Sequence, residues 1–240
     1  MRLDTGLSLR IGGWLARAAA AGSTLLTGLV SYWPLNEQSG TRYDAVGDND
    51  LTDNNTVGYA AGKDGNAASF VEANTESLSR PGAQAGSVSL AGVDFTVSCW
   101  VKTTQAGAML VSNWDYGEYP NYGVTTDSGA PAFQYGSYRA GGATATWGAA
   151  INDGNWHHVL SWNAESESKV YISVDNGTPV SATTTAVLEV IENEFRLGAL
   201  GPIQRFEGQL DEVAIWSRVL TVQERADLYA AGAGFFYPFT

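Results

Sequence analysis

The chain has 240 residues, with 13 Lys+Arg against 25 Asp+Glu, a formal net charge of -12 and a pI near 4.4. That acidity argues against a nucleic-acid partner, the absence of a long apolar run argues against a membrane span, and a single cysteine forbids an intrachain disulfide framework. Charged residues make up only 16% and aromatics 11%, so the chain is not of the disordered class; its length fits one large β domain or two small ones, burying roughly 70% of the unfolded surface.

Residues 1–27 differ from the rest. Arg2, Arg10 and Arg17 against Asp4 give this segment a net +2, which leaves -14 on the remainder. A secretory leader is the alternative reading, with its basic start and small residues Ala18–Ala21. Asp4 in the basic start and Arg17 within the apolar stretch disfavour it. The segment is read as a retained docking arm. Arg10, Ile11, Trp14, Leu15 and Arg17 are its partner-docking residues, packing on its own domain or on a neighbouring subunit; the competing reading, of equal weight, is a short local helix over 13–21 that covers one end of the sandwich.

From Leu29 onward, short strands alternate with Gly/Asn/Asp/Ser turns. Leu29–Leu35 opens the series. Phe95–Val101 alternates with period two, as a half-buried strand does. His158–Trp162 and Val170–Val174 form the next pair, the second running into the hairpin signal Asp175-Asn176-Gly177. Phe195–Gly198 and Gln209–Trp216 complete the set. Thr221-Val222-Gln223-Glu224 is a capping box; Val222, Ala226, Tyr229 and Ala230 then share a helical face, and Gly232 is the expected stop. Many strands with a single late helix predict an all-β, two-sheet antiparallel sandwich spanning 28–240.

Several phrases resemble one family. Ser31-Tyr32-Trp33-Pro34-Leu35-Asn36-Glu37-Gln38-Ser39-Gly40 is similar to the opening of laminin G-like jelly-roll domains of the concanavalin A-like lectin/glucanase group. So is Gly62–Phe70. Phe95–Lys102 is similar to the family's central strand, Trp156-His157-His158-Val159 to its best-known phrase, and Phe206–Val213 with Trp216–Thr221 to its closing strand and helix. The resemblance implies a jelly roll. It implies little about chemistry, because this fold hosts lectins, adhesion modules, enzymes and structural domains.

Catalysis is not expected. Glycoside hydrolysis needs two carboxyls flanking the scissile bond, whereas the adjacent Asp211 and Glu212 point to opposite faces of a regular strand. Glu165 and Glu167 alternate in a turn-like stretch. His157 and His158 are read as structural and Cys99 as buried and inert. No cofactor is expected, with structural calcium the one candidate. Asp44, Asp48, Asp50 and Asp53 crowd one loop, and the resemblance makes Glu37, Asp44 and Asp211 the candidate ligands, against a polar turn with Asx caps.

Aromatics give the strongest local signal. Residues 113–148 hold 8 of the 27 aromatics, twice the average density. Tyr122, Phe133 and Tyr135 alternate as core residues. Trp114, Tyr116 and Tyr119, with Asn113 and Asp115, are the candidate ligand-binding set: rings stack on sugar C–H groups while amide and carboxylate bind hydroxyls. Two functional readings follow. One is a non-catalytic structural or interaction protein of a larger assembly, a bacteriophage virion surface protein (decoration or fibre type) anchored by its arm to other subunits and able to bind glycans. The other is a secreted or cell-surface carbohydrate-binding module. The corresponding locations are the virion surface and the extracellular space.

Overall fold

The computed structural model describes residues 24–80, 86–90, 92–114, 121–136, 141–186 and 193–240. In chain order its strands are β1 (Leu29–Trp33), β2 (Thr52–Asn54), β3 (Gly58–Ala61), β4 (Asn66–Phe70), β5 (Ser77–Arg80), β6 (Phe95–Lys102), β7 (Ala108–Asn113), β8 (Tyr122–Asp127), β9 (Ala130–Tyr135), β10 (Ala143–Thr146), β11 (Trp156–Ala164), β12 (Lys169–Val174), β13 (Val180–Thr183), β14 (Phe195–Leu197) and β15 (Gly208–Trp216). Helix α1 (Val222–Tyr229) follows. The first sheet has eight strands, ordered β13-β12-β11-β6-β15-β4-β3, with β1 also on β15; the second has seven, ordered β10-β9-β8-β7-β14-β5-β2. Every pairing is antiparallel. Over the described residues this is the all-β, two-sheet jelly roll with a short C-terminal helix that the sequence predicts.

Alternation builds the core between the sheets. Phe95, Val97, Cys99 and Val101 of β6 meet Tyr122, Val124, Phe133 and Tyr135 of β8 and β9, and Phe95 lies 4.8 Å from Tyr122, ring centre to ring centre. Cys99 is buried, and burial pushes its thiol up to about 12, so it is inert at neutral pH.

The expectation of a half-buried β6 is corrected. Thr96, Ser98 and Trp100, on its other face, are buried as well. A second apolar layer covers the outer face of the first sheet, where Leu25, Tyr32, Leu160, Trp162, Trp216, Leu228 and Phe239 pack together. The aromatic tail and α1 supply this cover. So does Leu25, whose carbonyl accepts the Trp216 indole N–H at 2.7 Å. The packed body therefore extends a few residues ahead of Gly28.

Helix α1 starts where expected. The Thr221 hydroxyl accepts the Glu224 N–H at 3.2 Å, and the Glu224 carboxylate accepts the Thr221 N–H at 2.8 Å. Its buried face is Glu224 and Leu228, not the predicted stripe, and Val222 is 72% exposed. Arg218 is the reason: it holds Glu224 with two bonds of 2.8 and 2.7 Å and reaches the Thr24 and Thr27 carbonyls at 2.9 and 2.7 Å. The Arg218 bond holds the Glu224 carboxyl down to about 2. Ala230, in the left-handed region, caps the helix before Gly232.

Candidate functional site

The outer face of the second sheet carries a polar row fixed by strand register. Ser79 lies opposite Arg196, Arg196 opposite Ser112, Ser112 opposite Gly123, Gly123 opposite Gln134, and Gln134 opposite Thr144. Their chain neighbours, including Leu78, Phe195, Val111, Val124 and Phe133, fill the core. The pleat therefore turns all six outward.

Trp114 takes the next outward position after Ser112. A Cβ added at Gly123 would stand 3.6 Å from the Trp114 ring and 3.1 Å from the Met109 sulfur, so the glycine leaves the floor on which the indole rests. Residues 199–205 cross the same face. Ser112 donates to the Ala199 carbonyl at 2.9 Å, Arg196 to Gly201 at 3.1 Å, and the Met109 N–H to Gln204 at 3.1 Å. This crossing roofs the centre of the row. Half-buried Trp114 and Gln134 and exposed Thr144 flank it. An aromatic wall beside amide, hydroxyl and guanidinium groups suits a polyhydroxylated ligand.

The outer face of the first sheet holds a different cluster. β15 is irregular between Asp211 and Ala214, and Glu212 has a φ of +50°. This bulge breaks the alternation, so Asp211 and Glu212 share the outer side, contrary to the expectation of opposite faces. Burial raises both acids, Asp211 to about 7 and Glu212 to about 8. The Tyr32 hydroxyl donates to Glu212, and Ser98 Oγ lies 2.8 Å from His158 Nε2. Burial lowers His158 to about 4. Tyr32, Ser98, His158 and Glu212 line a cavity bounded by Trp216, Leu228, Phe235 and Phe236 that has room for about one water. No sugar fits there. His157 lies between Asp175, 2.7 Å from Nδ1, and Asp153, 3.2 Å from Nε2, and it ties the β10–β11 and β12–β13 connections together. Both histidines are therefore structural.

A family model described as the concanavalin A-like lectin/glucanases superfamily matches residues 79–224. The chain belongs to this superfamily. Solved structures share its fold. The binding domain of Paraclostridial Mosquitocidal Protein 1 superposes with a TM-score of 0.69 at 15% identity, over 84% of this chain and 52% of that one. Domain 4 of AbnA, a GH43 extracellular arabinanase from Geobacillus stearothermophilus solved with arabinotriose, gives 0.61 at 21% identity over 83% and 97%. The binding domain of botulinum neurotoxin DC, solved in complex with SialylT, gives 0.65 at 8% identity over 85% and 52%. This chain thus spans about half the length of the two toxin binding domains.

Within this concanavalin A-like frame the predicted site residues separate. Trp114 stands on the outer face as described. Asn113 does not contact a ligand surface: it is fully buried on the core side opposite Phe195, donates to the Asn193 carbonyl at 3.3 Å and accepts from Asn121 at 2.7 Å. Asp115, Tyr116 and Tyr119 lie outside the described residues, as do Arg10, Ile11, Trp14, Leu15 and Arg17. Arg196, Gln134, Ser112 and Thr144 were missed. Alternation in Phe195-Arg196-Leu197 and Phe133-Gln134-Tyr135 marks two of them as outward, but which strands lie side by side is not a local property.

The carboxylates named for calcium accept backbone N–H groups. Glu37 accepts the Tyr43 N–H at 2.8 Å, Asp44 accepts those of Tyr32, Val46 and Asn49 at 2.9, 3.0 and 3.2 Å, and Asp211 accepts that of Lys63 at 2.6 Å. Among the described residues no three His, Cys, Asp or Glu side chains converge to hold a metal ion. Arg80 and Arg42 are cations of this region, Arg80 donating to the Asp48 carbonyl. Arg42 is fully buried and bonded to the Gly40, Val57 and Gly58 carbonyls at 2.5, 2.8 and 3.3 Å. Burial lowers its pKa, and the charges of Asp53 and Glu37 raise it again.

Proposed function

We propose that this protein is a non-catalytic carbohydrate-recognition module that binds saccharide on the outer face of the second sheet. The observation that carries the reading is the Trp114 ring seated over Gly123 beside the row Arg196–Ser112–Gln134. Structural neighbours solved in complex with arabinotriose and with SialylT support the ligand class. The buried acids do not favour glycoside hydrolysis, because two carboxyls must flank a bound sugar and Asp211 and Glu212 sit beneath the tail.

The reading extends to the setting. A module of this kind serves as a surface protein of a bacteriophage virion, held to other subunits by residues 1–23 while the jelly roll projects outward. The support is the rigid start of the body: Arg218 and Trp216 clamp the Thr24, Leu25 and Thr27 carbonyls, so a tether leaving Thr24 would transmit force to the sheet.

A glycan array followed by calorimetry on the full chain tests the first part. Trp114→Ala is expected to weaken saccharide binding about ten-fold or more with an unchanged circular-dichroism spectrum. Full retention by that variant, or no saccharide bound by the parent, overturns it. Size-exclusion chromatography of the full chain against a chain lacking residues 1–23 tests the second; an identical monomer in both overturns the tether.

A further inference from the structure

We propose that the outer face of the second sheet also holds an anion site, made by the Arg205 guanidinium with Arg196 beside it, that takes the carboxylate of an acidic sugar residue. The inference rests on the carbohydrate reading and adds the ligand's charge to it.

The chain carries a net charge of -12, yet two guanidinium groups meet on this face. Arg196 stands in the polar row between Ser79 and Ser112. Arg205 closes the segment that crosses the row, pinned there through the Gly201 and Gln204 carbonyls. Their partners are unequal. Arg196 pairs with Glu194 and donates to Gly201. Arg205 donates from Nη1 to the Thr75 carbonyl at 3.1 Å and faces no carboxylate among the described residues.

Its Nε is buried without a hydrogen-bond partner. A guanidinium carries five N–H donors in a planar fork, so most of Arg205's capacity is uncommitted. Burial lowers its pKa, and the charge of a second cation, Arg196, lowers it further. Arg196 has Glu194 as its ion-pair partner, whereas the Glu72 carboxylate is bonded to the Gln105 amide that also donates to the Arg205 carbonyl, so an arriving anion would give the Arg205 guanidinium the partner it lacks among the described residues.

The surroundings favour a carboxylate on a sugar. A planar fork meets a carboxylate through two parallel bonds. Ser79, opposite Arg196 in register, is buried and its Oγ accepts from Asn54 at 3.0 Å, so it fixes the β5 side of Arg196 rather than reaching a ligand. Arg196 and Trp114 share this face with the 199–205 crossing lying over the buried Ser112 between their strand positions, so a saccharide with its acid on the arginines would reach the indole only by passing over that crossing.

Calorimetry on the full chain tests this with sialyllactose and trigalacturonic acid against lactose and arabinotriose, at low and high salt. The acidic sugars are expected to bind about ten-fold or more tighter than the neutral ones at low salt, with the preference shrinking as salt rises. Arg205→Gln should bring the ratio close to one, and Arg205→Lys should keep part of it. No acidic preference, a preference indifferent to salt, or one that survives in Arg205→Gln overturns the inference.

Failure of the two ideas is distinguishable. Trp114-dependent binding of neutral and acidic sugars alike keeps the carbohydrate reading and removes the anion site. Absence of any saccharide binding removes the reading; inorganic sulfate then decides the site, which stands as an anion site if sulfate raises the melting midpoint of the parent but not of Arg205→Gln at matched ionic strength, and falls otherwise.

Discussion

The Tyr32 hydroxyl donates to the Glu212 carboxyl across the β1–β15 pair, and the same oxygen accepts the backbone N–H of Tyr237 at 3.1 Å. One phenol thereby ties the C-terminal tail to a buried acid. Burial raises the Tyr32 hydroxyl well above its ordinary range, so it remains a donor throughout the accessible pH range.

The first prediction concerns pH. Glu212 is raised from 4.5 to about 8 and Asp211 from 3.8 to about 7. Between their ordinary and raised values the folded state holds protons that the unfolded state has released, so stability falls as pH rises. His158, lowered from 6.5 to about 4, acts in the opposite sense: its contribution is complete above 6.5 and is lost as pH falls through 4. Two carboxyls outweigh one imidazole. The unfolding free energy from urea titration should therefore decline from pH 5 to 8, by on the order of 1 kcal/mol per pH unit, and the urea midpoint with it. Glu212→Gln keeps an acceptor for Tyr32 and should flatten the decline. A midpoint that rises over this range in the parent contradicts the assignment.

What the sequence disclosed was local. The alternation of Phe95–Val101 and the Thr221–Glu224 capping box each need only a few consecutive residues, and both are present in the structure. The ordered phrases from Ser31 to Thr221 were likewise legible as a family pattern. The Glu212 bulge was not, because an unremarkable Asp-Glu-Val run gives no sign of a left-handed residue within a strand. Burial of the outer face of β6 was hidden for another reason: its cover comes from Leu25 and Phe239, far away at both ends of the body. The polar row failed on register, since Arg196 finds Ser79 and Ser112 across more than 80 residues of chain.

The second prediction concerns Arg42. Arg42→Met would keep the buried stem but leave the Gly40, Val57 and Gly58 carbonyls without a donor and Glu37 and Asp53 without a cation. Removing one side of a buried ionic arrangement is expected to cost about 3 kcal/mol, read as a lower urea midpoint. Millimolar calcium should leave the parent's melting midpoint where it was, because the acidic loop's carboxylates already accept backbone N–H groups. A clear upward shift with calcium, reversed by a chelator, would contradict this and support the metal reading.

The third prediction uses the smallest residue of the site. Gly123 faces outward between Ser112 and Gln134, and its missing side chain is what lets Trp114 and Met109 settle there. Gly123→Val would fill that floor. Met109 is unbranched and can yield, so the core beneath, built from Tyr122 and Val124, should persist with a stability change of about 1 kcal/mol. The indole cannot yield without leaving its seat. Saccharide affinity, followed by calorimetry, is therefore expected to fall about ten-fold while the urea midpoint hardly moves. Loss of both together would make Gly123 a folding residue, and loss of neither would mean that the Trp114 ring is not the wall against which the sugar rests.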